Sequence, residues 1–181
     1  AGTLLVATAA MALADVPNRN IEIIHPWGPG NAMAMSQVVA KAMGEELGTD
    51  MPVISLPGAA GTKAQTTAMG KPADGYTIFD GYVAPLVLQP ILGNADWNYK
   101  DFKPLSAAVA NAFSIAGQVD ETRWSNFEEM MAYCQSNRGE LRYSSGSRNN
   151  LPHMVIAKAL KGFDCVAQNV PYTQDGNVFK D

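Results

Sequence analysis

The sequence predicts an α/β protein with mostly parallel sheet, laid out in two parts. Three observations carry that prediction. Short β-branched runs alternate with segments of helical apolar period. Glycine and proline fall at the joints between them, as expected of βαβ units. The alternation breaks once, near residues 105–118, and then resumes.

The elements follow in order. "IEIIH" (21–25) reads as a buried strand. Met35, Val38, Val39, Ala42, Met43 and Leu47 then form a helical stripe that Gly48 ends. "VISL" (53–56) is a second strand, "TKAQTTAMG" (62–70) a short helix, and "YTIFD" (76–80) a third strand. "APLVLQPIL" (84–92) is a helix with a proline interruption. "LSAAVANAFSIAGQ" (105–118) has neither period and reads as a strand crossing between domains. Ser125-Asn126-Phe127-Glu128 reads as a capping box, with Phe127, Met130, Met131 and Cys134 as the buried stripe behind it. "LRYSS" (141–145) and "VAQNVPY" (166–172) are strands flanking "LPHMVIAKALKG", a helix with Pro152 near its start and Gly162 after its end. With only those two strands and two helices, the second part has little core and is expected to be incomplete.

Composition bounds the function. An apolar fraction of 47% with 17% charged residues suits a globular chain. A net charge of −4 supplies no basic field for nucleic acid or an anionic membrane, so a bound anion must be held by local groups. "LLVATAAMALA", with Ala12-Leu13-Ala14 before Asp15, reads as the end of a signal peptide too short to span a bilayer. Export with removal of residues 1–14 is therefore expected. Cys134 and Cys165 lack metal-ligand spacing. An exported setting permits a bridge between them, but two small buried thiols are the simpler expectation.

Three loops share a position, each leaving a strand and entering a helix: Pro26–Asn31, Pro57–Thr62 and Gly146–Asn150. Ligands of open α/β sheets bind at the carboxyl ends of strands. There, free N–H groups and the helix dipole suit an anion. Taken singly, each loop could be no more than a Gly-Pro turn. Enzyme signatures are poor. "GAAGTK" lacks the spacing of a phosphate-binding loop, "GPGN" is not a dinucleotide fingerprint, and there is no G-x-S-x-G. His25 and His153 are the only histidines and have no acidic or Cys neighbours in sequence to suggest a metal. His25, ending a strand, reads as structural, whereas His153 sits in a first helical turn where it could line a cleft. Arg148 could fork onto a carboxylate or be a solvated loop residue. Trp27 is either a packing anchor or a pocket wall.

Ordered motifs from about Pro17 onward resemble the substrate-binding proteins of tripartite tricarboxylate transporters, also called Bug proteins. They are "PNRNIEIIHPWGPGNAM", "LPGAAGTKA", "KPADGYTIF", "WNYKDFKPLSAAV", "LRYSSGSRNNLPHM" and "VPYTQDG". The resemblance implies a periplasmic receptor of the type II binding-protein kind, with two α/β lobes around a cleft. Such a receptor catches small organic di- or tricarboxylates and delivers them to a membrane permease. With its charge and its poor enzyme and metal signatures, the sequence leads us to expect no catalysis, cofactor, metal or nucleic-acid partner, and a monomer. The implied boundaries are a signal-peptide remnant at 1–14, a first lobe at 15–106, a hinge at 107–118 and an incomplete second lobe at 119–181.

The resemblance also implies carboxylate-binding backbone groups at Trp27, Gly28, Pro29, Gly30 and Asn31, and at Gly58, Ala59, Ala60, Gly61 and Thr62. Further cleft contacts are implied at Tyr82 and Val83, at Gly146, Ser147, Arg148 and Asn149, and at Tyr172 and Thr173. The sequence departs from the family pattern at Asn31 and Ala60, where glycine is usual, at Arg148, where small residues are typical, and in its length. Two other readings stay open: an α/β enzyme whose catalytic residues lie outside this sequence, and a receptor that signals rather than feeds a permease.

Overall fold

The computed structural model describes residues 17–110 and 112–172. The signal-peptide expectation and Thr173 lie outside them. Strand β1 (Glu22–His25) sits at the centre of a parallel sheet of order β2-β1-β3, with β2 at Val53–Ser55 and β3 at Thr77–Phe79. Helix α1 (Asn31–Leu47) connects β1 to β2, and α2 (Thr62–Met69) connects β2 to β3. Because both neighbours run parallel to β1, all three strands put their carboxyl ends on one edge. The loops after β1, β2 and β3 therefore converge there.

Ile21, Ile23, Ala40 and Met51 form the core of this unit, with Met43, Val53, Tyr76 and Ile78 against it. Helix α1 does not bury the whole apolar stripe expected of it. Met35, Val38 and Leu47 are exposed, while Ala40 and Gly44 are buried. The reason is close approach. A Cβ on Gly44 would lie 2.6 Å from the carbonyl of Thr49, in the loop that returns to β2, so the smallest residues, rather than the most apolar ones, take the buried face. Gly48 ends the helix in the left-handed conformation and returns its N–H to the Gly44 carbonyl.

After β3, a π-helical turn over Ala84–Leu88 runs into α3 (Gln89–Ile91). Pro90 has no N–H to offer the Leu86 carbonyl, and the backbone N–H of Gln89 reaches back to Ala84. The interruption expected at that proline is thus a widened turn. The strand expected at 105–118 is not found among the described residues. Residues 103–110 and 112–118 carry no ladder among the described residues and are exposed. An extended segment becomes a strand only when a neighbour accepts its hydrogen bonds, and no described strand pairs with it.

The second unit holds α4 (Phe127–Ser136), β4 (Arg142–Tyr143), α5 (Leu151–Gly162) and β5 (Gln168–Asn169), with β4 and β5 parallel. The cap of α4 falls one residue later than expected. Asn126 is the N-cap, accepting from the Glu129 N–H, and Glu129 rather than Glu128 accepts from the Ser125 N–H and hydroxyl. Those bonds hold the Glu129 carboxyl below the usual range. Pro152 occupies the first turn of α5, and Gly162 is its last residue rather than the one beyond it. Met131, Cys134, Leu141, Leu160 and Cys165 form the core. Cys134 and Cys165 are joined by a disulfide, with Cα atoms 5.3 Å apart, and are not the free thiols that their number suggested.

Candidate functional site

Loop by loop, the carboxyl edge of the first sheet is built to present backbone. The β1–α1 loop is anchored where it leaves β1. The Ser55 hydroxyl donates to the Trp27 carbonyl at 2.7 Å, and the Leu56 N–H donates to the His25 carbonyl. Trp27 and Gly28 are half-buried, and Pro29, Gly30 and Asn31 are exposed. Gly30 caps α1 with φ of 163°, an extended conformation open to any residue, and a Cβ there would meet nothing within 4 Å.

The β2–α2 loop is more unusual. Gly58, Ala59, Ala60 and Gly61 all have positive φ, with Ala59 at 48° and Ala60 at 50°. This left-handed turn closes through the Gly61 N–H to the Gly58 carbonyl and delivers the chain into Thr62. Gly61 lies against Pro85, where a Cβ would come within 2.9 Å of the ring. The second loop is therefore docked on the segment that follows Tyr82 and Val83. Neither α1 nor α2 has a side-chain cap or an acidic residue in its first turn. Their positive dipole ends face the loops, with the Thr62 N–H at the start of α2 already turned back to the Ala59 carbonyl.

Trp27 and Tyr82 meet edge to face, with centroids 5.6 Å apart and planes at 82°. Behind them is a feature that single-sequence reading missed. His25 is fully buried, and its Nδ1 lies 2.7 Å from Asp80 Oδ2. The Ser36 hydroxyl donates to the same carboxylate oxygen. His25 thus has the acidic partner its sequence neighbours lacked. The usable signal was positional: a histidine ends one strand, an aspartate follows another, and pairing Ile24 with Phe79 sets the two side by side. No cluster of three or more His, Cys, Asp or Glu suited to a metal occurs among the described residues.

In the second unit, the β4–α5 loop carries Gly146, Ser147, Arg148 and Asn149. Asn150 caps α5, accepting from the His153 N–H and donating to the Ser145 carbonyl. Tyr172 follows β5 and gives its N–H to the Gly146 carbonyl at 3.0 Å. Asn149, with φ of 61°, donates its N–H to His153 Nδ1 at 3.1 Å. An acceptor at Nδ1 fixes the neutral tautomer with hydrogen on Nε2. Burial, and secondarily the Arg148 charge, push His153 below its ordinary pKa. Burial raises the Tyr143 pKa, and Arg148 opposes that rise. Arg148 is exposed and forms no ion pair with any described residue.

Among the described residues, a side-chain bond joins this loop to the first unit. Buried Gln89 donates from Nε2 to the Asn149 carbonyl at 3.0 Å, and Asn94 holds its Oε1. Gln89 was not among the expected site residues. The structure therefore brings together Trp27 with Tyr82, Gly61 with the Tyr82 segment, and Gly146 with Asn149, His153 and Tyr172. An open groove of about 1090 Å³, lined by residues such as Arg19, Lys41 and Asp50, lies at the opposite edge of the sheet, away from these loops.

Comparison with known proteins gives this geometry a context. No family model matches the chain. It is 28% identical over 176 residues to a UPF0065 protein of Bordetella pertussis, covering 94% of this chain and 54% of that one. It is 23% identical over 181 residues to BugT of the same organism, covering 96% and 55%. Among solved structures, it resembles an R. palustris protein with adipate (TM-score 0.73, 19% identity, 92% of this chain and 56% of that one). It also resembles MatC from Rhodopseudomonas palustris with bound malate (TM-score 0.68, 15% identity, 91% and 56%). The chain spans about half the length of the curated relatives it matches.

Proposed function

We infer function from kinship: this chain is a homologue of the UPF0065 and Bug proteins and has the fold of periplasmic solute-binding proteins. It acts as a receptor that captures a small organic di- or tricarboxylate between its two units in the periplasm and hands it to a membrane permease. The observation that carries this reading is the pair of uncapped helix starts, at Gly30–Asn31 and Gly61–Thr62, on one edge of a parallel sheet. Such N–H groups hold one carboxylate well. Arg148, free of any ion pair with described residues, is suited to the second, since a dianion removed from water needs a compensating charge. The relatives with adipate and malate support a carboxylate as the class.

Isothermal titration decides it. A dicarboxylate should bind the full chain, and Arg148→Ala should weaken it by about 1.5–3 kcal/mol, the range for hydrogen bonds to charged groups. A monocarboxylate of the same shape should lose much less. Gly30→Val should also weaken binding. The extended φ and empty surroundings of Gly30 accept the side chain, so a loss would report blocked ligand approach rather than misfolding. No loss for either acid with Arg148→Ala would make Arg148 a solvated loop residue, and equal losses would put it on the carboxylate that both acids share.

A further inference from the structure

The cluster of His25, Asp80 and Ser36 ties together three pieces of the ligand-binding edge. His25 is the last residue of β1, directly before Pro26-Trp27, and Asp80 follows β3, directly before Gly81-Tyr82. Ser36 lies on α1, its hydroxyl on Asp80 Oδ2 and 3.3 Å from His25 Nδ1. The carboxylate oxygen accepts, so Nδ1 carries the hydrogen and the ring orientation is set. The imidazole then meets Tyr82 edge to face, with centroids 5.9 Å apart and planes at 84°. Tyr82 meets Trp27 in the same way. Asp80, His25, Tyr82 and Trp27 thus form one continuous line of contacts from the buried sheet end to the loop.

Filling the core does not explain this histidine. Its Nε2 is buried with no hydrogen-bond partner among the described residues, a desolvation cost that leucine or phenylalanine would avoid. What the imidazole supplies, and an apolar residue cannot, is a ring whose orientation is fixed from behind by a hydrogen bond. We propose that His25, held by Asp80 and Ser36, is a positioning residue that fixes Tyr82, and through it Trp27, as the aromatic wall against which the ligand's carbon skeleton lies. This rests on the receptor reading above.

The test uses the full chain with adipate and malate as probes, measuring affinity by calorimetry and aromatic order by near-UV circular dichroism. His25→Asn keeps a donor near the Nδ1 position but removes the ring. Asp80→Ala keeps the ring but frees it, and Asp80→Asn restores an acceptor. His25→Asn and Asp80→Ala should each weaken adipate binding about tenfold, the scale of one aromatic contact, and flatten the aromatic bands. Asp80→Asn should bring both readouts back toward wild type. Malate, with a shorter and more polar skeleton, should lose less than adipate. The proposal is overturned if His25→Asn and Asp80→Ala lower the melting temperature while affinity and aromatic bands stay at wild type. If the wild-type chain binds neither acid, the receptor reading fails and the circular dichroism decides alone: unchanged bands refute the positioning role, and bands lost then restored by Asp80→Asn support it.

Discussion

Ala60 holds a backbone conformation (φ 50°, ψ 35°) that an L side chain adopts at a cost of about 1–2 kcal/mol. Part of that would return as unfolded-chain entropy if glycine replaced it. Ala60→Gly should therefore stabilise the protein by up to about 1 kcal/mol, seen as a higher urea midpoint at unchanged slope. Strain of this kind gathers at ligand clamps, and Ala60 lies in the docked β2–α2 loop. His153 yields a pH prediction whose sign follows from linkage. Its folded pKa is depressed, so the unfolded chain binds a proton near the ordinary value of about 6.5 that the folded chain refuses. Stability is then full above that value and is lost as pH falls through it toward the folded pKa. Melting temperature should fall as pH drops below about 6.5, with less slope in His153→Phe, and the imidazole titration followed by NMR should lie below the ordinary value. Residues such as these show where sequence reading stopped. The loops that hold Trp27, Gly61 and Arg148 were legible as strand-to-helix turns because glycine, in two of them with proline, punctuates each. His25 with Asp80, and Gln89 with Asn149, were not, because each pair forms across 55 and 60 residues through a strand order and a packing no local pattern encodes.

At the scale of elements, the order of strands and helices was legible, apart from the strand expected at 105–118, because each has its own period and its own glycine or proline stop. The face that a helix buries was not. Periodicity ranks positions by apolarity and so selected Met35, Val38 and Leu47, whereas close approach on the buried face selects by size. Gly44→Ala tests this directly. The added methyl would push on the Thr49 carbonyl, and overpacking of this sort costs about 1–3 kcal/mol, measurable by thermal unfolding, despite alanine's better helix propensity. Helix α4 gives a smaller, opposite kind of test. Asn126→Ala removes the acceptor for the Glu129 N–H and should cost about 1 kcal/mol. Ser125→Ala should cost less, because the Ser125 N–H keeps its bond to Glu129.

For the whole molecule, the disulfide carries the clearest prediction. It links residues separated by 31 positions. Closing a loop of that length lowers unfolded-state entropy by an amount worth about 3–4 kcal/mol. Reduction, or Cys134→Ser with Cys165→Ser, should lower the melting transition of the second unit accordingly. Cysteine counting could not decide this pairing, since distance in the chain says nothing about the 5.3 Å that separates the two Cα atoms. The ring it closes has a further meaning. Strand β4, the Gly146–Asn150 loop and α5 all lie inside it, so the second half of the proposed clamp is covalently braced only where thiols are oxidised. The same chain in a reducing compartment would present that half on an unbraced tether. Its grip on a solute would then be governed by the redox state of its surroundings as well as by the solute's concentration.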